Sequence, residues 1–311
     1  MINKQSKIYI AGHKGMVGSA LVNKLINSGY KNLIYRTSGE LDLRIQDDVK
    51  SFIKKENPDL IINAAAIVGG IWANNEYPYK FLMDNLQIQN NLIYSAVNNK
   101  IKNFILLGSS CIYPKLSNQP IKEEYLLTGP LEESNQWYAI AKIAGVKLVE
   151  AVRREYKYNY ISLMPTNLYG PNDNFDIMTS HVLPGMIVKF HESKSKNLES
   201  VTLWGDGTPM REFLHVDDLA DAIIFILNKN LDNSIYNIGS NDELTIQELA
   251  NVISNIVGYK GKINWDRTFP NGTPRKRLDS SLINNEGWEP KIDLKKGISD
   301  VYNFYLKNKV D

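Results

Sequence analysis

The chain has one cysteine, Cys111, among 311 residues. An internal disulfide framework and a cysteine-rich metal site are excluded, and a reducing, cytoplasmic compartment is expected. There is no apolar run near the ~18 residues of a membrane span and no apolar N-terminal segment followed by a cleavage site. There is little charge excess either: Lys plus Arg is 36 and Asp plus Glu is 34, a net +2. That balance gives no reason to expect nucleic acid or an anionic membrane as partner. No internal repeat and no metal-ligand pattern is visible.

What is present is an ordinary soluble composition, 43% hydrophobic and 23% charged, in a chain long enough for two lobes. Its order is rhythmic. The apolar strand 7–11 runs straight into Gly12-His13-Lys14-Gly15-Met16-Val17-Gly18. Gly12 permits a tight turn, Gly15 a close approach of backbone to a diphosphate, and Gly18 helix–strand contact. Val17, Leu21, Val22 and Leu25 then give a helix its apolar face. This placement is the signature of a dinucleotide loop. The second strand ends at Arg36, where an NAD site usually carries Asp or Glu. With Lys14 it offers two cations to a 2′-phosphate, so the expected cofactor is NADP(H). Asp42 is a further candidate beside the adenine.

Further strands are expected at 59–65, 103–107 and 160–163, with helices at 46–57 and 78–98. Asn85, Asn90 and Asn91 interrupt the last helix, and solvent is expected for most of them. The fold class that follows is α/β: a Rossmann-like doubly wound parallel sheet with a smaller α/β substrate-binding lobe. Residues 1–170 are assigned mainly to the NADP-binding domain, with returning segments from 205–245. Residues 171–204 and 246–311 are assigned mainly to the second lobe. Helices are expected at 184–192, 219–228, 245–257 and 295–307, a charged loop at 192–200, and another at 272–276.

The chemistry centres on residues 108–142. An apolar strand delivers Leu107, Gly108, Ser109, Ser110 and Cys111. A helical stretch then carries Tyr138 and Lys142, four apart and on one face. A hydroxyl, a phenol and an ammonium that converge can pass a proton to a carbonyl oxygen. Pro165-Thr166-Asn167-Leu168 sits at a strand's carboxyl end, where a cofactor crevice belongs.

These features together resemble the extended short-chain dehydrogenase/reductases that modify nucleotide sugars. The stretches that carry the resemblance are GHKGMVG (12–18), GSSCIYP (108–114), YAIAKIAG (138–145), PTNLYGP (165–171), Ser180-His181-Val182 and GTPMREFLHVDD (207–218). They are most similar to the branch that converts GDP-4-keto-6-deoxy-D-mannose to GDP-L-fucose, by epimerisation at C3 and C5 and then reduction at C4. The resemblance implies roles. Tyr138 protonates O4, Lys142 lowers the tyrosine pKa and binds the nicotinamide ribose, and Ser109 orients O4. Cys111 is the candidate base and His181 the candidate acid on the opposite face. His181 and residues 107–110 and 165–168 would also border the cofactor.

Lys189, Trp204, Arg211 and Asn271 would hold the GDP-sugar, although Asn271 stands where the family often has Asp. A homodimer is also implied. Among the other histidines, His13 is expected to matter through its backbone, His191 to lie on the surface, and His215 to be structural. The alternatives are the same chemistry, or C4 reduction, on a related GDP-4-keto sugar such as a deoxyheptose or dideoxyhexose. Further off stand an NAD-dependent 4-epimerase and a non-enzymatic NADPH-binding scaffold.

Overall fold

Six short apolar segments become one parallel sheet. A computed structural model describes residues 2–229, 231–269 and 271–308. In chain order, β1 (Ile8–Ala11) leads to α1 (Met16–Asn27), β2 (Leu33–Ile34), α2 (Gln46–Glu56), β3 (Leu60–Asn63), the short α3 (Ile71–Glu76) and α4 (Pro78–Asn98). Then come β4 (Asn103–Leu107), α5 (Gln136–Tyr156) and β5 (Asn159–Pro165). The order in the sheet is β2-β1-β3-β4-β5, closed at the far edge by β9 (Ile235–Ile238), which pairs with β5 in parallel. Strands β1 and β3 are buried throughout, as expected for a sheet covered on both faces, and their residues are almost all aliphatic.

One face packs Leu21 and Leu25 of α1 with Leu219, Ile223 and Ile226 of α7 (Val216–Leu227). The other packs Val49 and Ile53 of α2, Ile88 and Leu92 of α4, and Val146 and Val149 of α5. The direction of sheet winding reverses between β1 and β3. Their carboxyl ends therefore leave the crevice in which such folds bind ligands.

The second lobe is assembled around β8 (Met210–His215). It pairs in parallel with β6 (Asn167–Tyr169) and β12 (Arg275–Lys276) and antiparallel with β10 (Glu243–Thr245). A separate parallel pair joins β7 (Ser200–Trp204) to β11 (Lys262–Asp266). Helices α6 (Val182–Ser195), α8 (Ile246–Val257) and α10 (Leu294–Asn308) share an apolar core with β7, while α9 (Ser281–Asn285) lies by β9. Thus, within 205–245, α7 and β9 join the large sheet's layers and β8 and β10 build the small sheet.

Several local expectations are corrected. Asn85 and Asn91 are buried rather than solvated. The Asn85 side chain accepts from Ile67 N at 2.9 Å and donates to Ile67 O at 3.0 Å, so it pins the loop after β3. Asn91 donates to Leu43 O at 2.9 Å. Each ties down a loop whose main-chain groups would otherwise lack partners, an omission worth about 1–3 kcal/mol per buried group. His191 is half-buried, with Nδ1 3.0 Å from Tyr302 Oη. The helix after β6 runs on to Ser195, and α7 begins at Val216 with buried His215 as its cap, where Nδ1 accepts from Asp217 N at 3.2 Å. The loop at 272–276 ends in a two-residue strand, β12. Among the described residues no helix is long and apolar enough to cross a membrane.

Candidate active site

The glycine loop lies at the reversal point. Gly12 has φ +81°, and a methyl there would come within 2.8 Å of Ala64 O and 2.7 Å of Ala65 N. A methyl on Gly18 would lie 2.1 Å from Gly12 O, so loop and helix can approach only without side chains. Gly15 opens α1 with no side-chain cap. The first N–H groups of that helix are therefore available to a diphosphate, and the helix dipole favours its charge. Met16 and Val17 pack beneath the loop against Val216. The His13 ring stacks on Tyr35 at 4.5 Å, and its buried Nδ1 has no protein partner among the described residues.

Arg36 stands at the end of β2 with its guanidinium over the Phe52 ring (5.3 Å) and loosely paired with Glu56 at 3.4 Å. Lys14 is exposed beside it, and both cations act on Glu40, whose carboxyl is held low chiefly by bonds from Thr37. A tight, side-chain-free cradle flanked by two cations fits a dinucleotide carrying a 2′-phosphate. Asp42 is engaged by Arg44 at 2.7 Å. Thr166 and Asn167 turn their side chains to Glu212 O, at 3.2 and 2.8 Å, which joins the end of β5 to β8. Pro165 ends β5 beside them, and Leu168 pairs with Leu214.

The chemical centre forms where β4 ends. Gly108 N donates to Leu163 O at 2.8 Å, and a methyl on Gly108 would meet Met164 Sδ at 2.4 Å. Ser109 is extended and caps one 3-10 turn of Ser110–Ile112, its Oγ accepting from Cys111 N at 3.2 Å. Ser110 is buried beneath, and Cys111 is half-buried. Lys142 is buried on α5, donates to Leu107 O at 2.9 Å and lies 5.7 Å from the Tyr138 ring centroid.

Desolvation pulls the Lys142 ammonium down to about 8. Burial pushes the Tyr138 phenol above its usual range, and the nearby Cys111 sulfur adds to this. The Lys142 ammonium is turned to a backbone carbonyl while lying near the Tyr138 ring. A neutral phenol is nevertheless the form that donates a proton.

His181 occupies the N-cap position of α6, without a side-chain cap bond. The residue is exposed. Desolvation and then the Lys276 charge lower its pKa. Lys276 itself was not singled out from the sequence. Its Nζ donates to Cys111 Sγ at 3.6 Å. Glu132, Asn135 and Thr273 line the same recess as Cys111 and Lys276, and the buried Asn135 Oδ1 has no protein partner among the described residues. The one hint was the charge in the loop expected at 272–276.

In the second lobe the four expected substrate residues fall into two pairs. Lys189 Nζ lies 4.5 Å over the Trp204 ring, whose plane also stacks on Phe269 at 4.4 Å. Phe269 was missed because a lone aromatic in a polar loop carries no pattern. Arg211 donates to Met210 O at 2.8 Å and to Asn271 O at 3.4 Å. Its charge also reaches Cys111, which links this pair to the chemical centre. Asn271 Oδ1 accepts from Asp206 N at 3.1 Å and so shapes the turn at Gly205.

Known proteins match this arrangement over nearly the whole chain. The chain is 54% identical to GDP-L-fucose synthase 1 of Arabidopsis thaliana over 308 residues, which are 99% of this chain and 95% of that protein. It is 46% identical to GDP-L-fucose synthase of Escherichia coli strain K12 over 313 residues, 98% of each. A solved structure of MlghC, a GDP-mannoheptose C4 reductase from Campylobacter jejuni with NADP bound, is 37% identical, with a TM-score of 0.89 over 98% of this chain and 100% of that one. Residues 8–239, from β1 through β9, match the NAD dependent epimerase/dehydratase family, and the chain belongs to that family.

Proposed function

We propose that the chain converts GDP-4-keto-6-deoxy-D-mannose to GDP-L-fucose with NADPH, inverting C3 and C5 and then reducing C4. The 4-keto group makes the hydrogens on C3 and C5 acidic, because the electron pair left behind spreads onto O4. Cys111, as thiolate, takes the proton: the C–H bond breaks, an S–H bond forms, and charge moves to O4. The Tyr138 and Ser109 hydroxyls stabilise that oxygen. His181, as imidazolium, returns a proton to the opposite face, which inverts the carbon. A diphosphate beside the ring would favour the charged imidazole. Thiol and imidazole then exchange with solvent and serve the second carbon.

The cofactor is NADP(H), which supplies the hydride for C4. Tyr138 gives its proton to O4 as the hydride arrives, and Lys142 lies where its charge can stabilise the phenolate left behind. Gly12 to Gly18 cradle the diphosphate, and Arg36 and Lys14 take the 2′-phosphate. Lys189, Trp204 and Arg211 orient the GDP-sugar, with Asn271 shaping the turn between them.

One observation carries this reading: Cys111 and Ser109 share a turn, and the Cys111 sulfur is close enough to Tyr138 to act on the phenol's charge. A plain reductase needs only the serine, tyrosine and lysine. The test is product analysis with GDP-4-keto-6-deoxy-D-mannose and NADPH, in which GDP-L-fucose is the expected product and GDP-rhamnose-type reduction without inversion would refute the assignment. A second reading, the same chemistry or C4 reduction on a related GDP-4-keto sugar such as a deoxyheptose, is favoured by Asn271 and by the likeness to the heptose reductase. The ratio of kcat/KM for the two substrates decides between them.

The enzyme is further assigned to the cytoplasm and to a homodimer. Exposed Tyr79 and Tyr94 on α4 and Trp137, Ile140 and Leu148 on the adjacent α5 support the dimer, as apolar side chains open to a second copy.

A further inference from the structure

A thiol removes a carbon-bound proton only as its thiolate, and a thiolate in a protein cleft needs a cation beside it. Two cations act on the Cys111 sulfur, Arg211 and Lys276, and a third, Lys142, lies at the end of β4. Lys142 gives its ammonium to Leu107 O at 2.9 Å, and Arg211 gives one guanidinium nitrogen to Met210 O at 2.8 Å. Lys276 instead points its ammonium at the sulfur, 3.6 Å away. It comes from the second lobe, on β12, where it pairs with Arg211 of β8.

The position of Lys276 is built from both sides. The Gln119 side chain donates to Arg275 O at 3.1 Å and accepts from Arg277 N at 2.9 Å, bracketing the lysine. Met210 N donates to Pro274 O at 2.9 Å and Ile121 N to Arg277 O at 2.8 Å, while the Arg275 guanidinium pairs with Glu243. An ammonium on a flexible stem is thereby fixed at its root.

We propose that Lys276 is the positioning residue whose ammonium stabilises the Cys111 thiolate, with Gln119 holding the lysine in register. This rests on the reading of Cys111 as the base. The other charged and titratable groups facing the sulfur are Arg211 on β8, Tyr138 on α5 and Glu132 at the recess wall, with His181 across the cleft. Lys276 is the group in direct contact. Its charge also reaches His181 and favours the neutral imidazole there until substrate arrives, so one ammonium biases both proton carriers.

Because Cys111 is the sole cysteine, alkylation by iodoacetamide, followed by intact mass, reports on it without ambiguity. Wild type, Lys276→Met, Lys276→Arg and Gln119→Ala are compared between about pH 6 and pH 9.5, which brackets thiol ionisation. Lys276→Met is expected to slow alkylation at pH 7 about tenfold and to move the rate profile about one unit upward in pH. Lys276→Arg is expected to retain most of the rate. Gln119→Ala, which leaves the charge in place, is expected to slow it severalfold, and it provides the test if Lys276→Met does not fold. Superimposable profiles for wild type and these variants would overturn the proposal. So would equal losses in Lys276→Arg and Lys276→Met, which would make shape rather than charge responsible. Alkylation needs no turnover, so failure here leaves the proposed reaction standing, and failure of the reaction leaves the profile readable.

Discussion

Lys142 donates its ammonium to the Leu107 carbonyl at 2.9 Å, inside the protein and at the end of the strand that leads to Ser109. Burial lowers this lysine from 10.5 to about 8. Between those values the unfolded chain binds the proton and the folded chain does not. Stability referred to this group therefore rises with pH across that window and is lost as pH falls through the lower value. The Tm of wild type minus that of Lys142→Met is expected to increase from pH 7 to above pH 9, while C4 reduction by the variant falls by about a hundredfold or more. A flat Tm difference would show that the lysine is not desolvated as described.

Gly18 tests the cofactor loop. A methyl there would collide with Gly12 O at 2.1 Å and His13 Cα at 2.7 Å, both backbone atoms that cannot rotate away. Gly18→Ala is expected to weaken NADPH binding at least about tenfold, a cost of ~1.4 kcal/mol or more. Gly39→Ala, where no atom lies within 4 Å, is the control and is expected to bind as wild type does. Fluorescence titration of NADPH measures both.

The same loop shows what the sequence makes legible. Strand, glycine spacing and apolar helix face are local patterns, and each follows from the geometry of one element. The strand end at Ser109 and the shared helix of Tyr138 and Lys142 were legible for the same reason, through an apolar run and an i, i+4 spacing. Asn85 and Asn91 were not, since periodicity marks a polar residue in a helix as outward, and only the folded loops reveal which main-chain groups need it. Lys276 was hidden because its meeting with Cys111 spans 165 residues and depends on a two-residue strand that no propensity could mark.

The two chemical stages should separate by mutation. Cys111→Ser and His181→Asn are expected to depress hydrogen exchange at C3 and C5 by about a hundredfold or more, the usual scale for loss of a proton-transfer group. NADPH binding should persist in Cys111→Ser. Tyr138→Phe is expected to act chiefly on reduction, leaving part of the exchange because Ser109 still bonds O4. Proton NMR of the keto-sugar in deuterated water, without NADPH, measures the exchange directly. Wild-type exchange in either the Cys111 or the His181 variant would remove that residue from its role.

The central claim is that one cleft first inverts two carbons through solvent-exchanging acids and then delivers hydride to the carbon between them. Turnover of GDP-4-keto-6-deoxy-D-mannose with NADPH in deuterated water tests it most directly. The account predicts GDP-L-fucose carrying deuterium at C3 and C5 and unlabelled at C4. A C4-reduced product that keeps the manno configuration and carries no deuterium at C3 or C5 would contradict it.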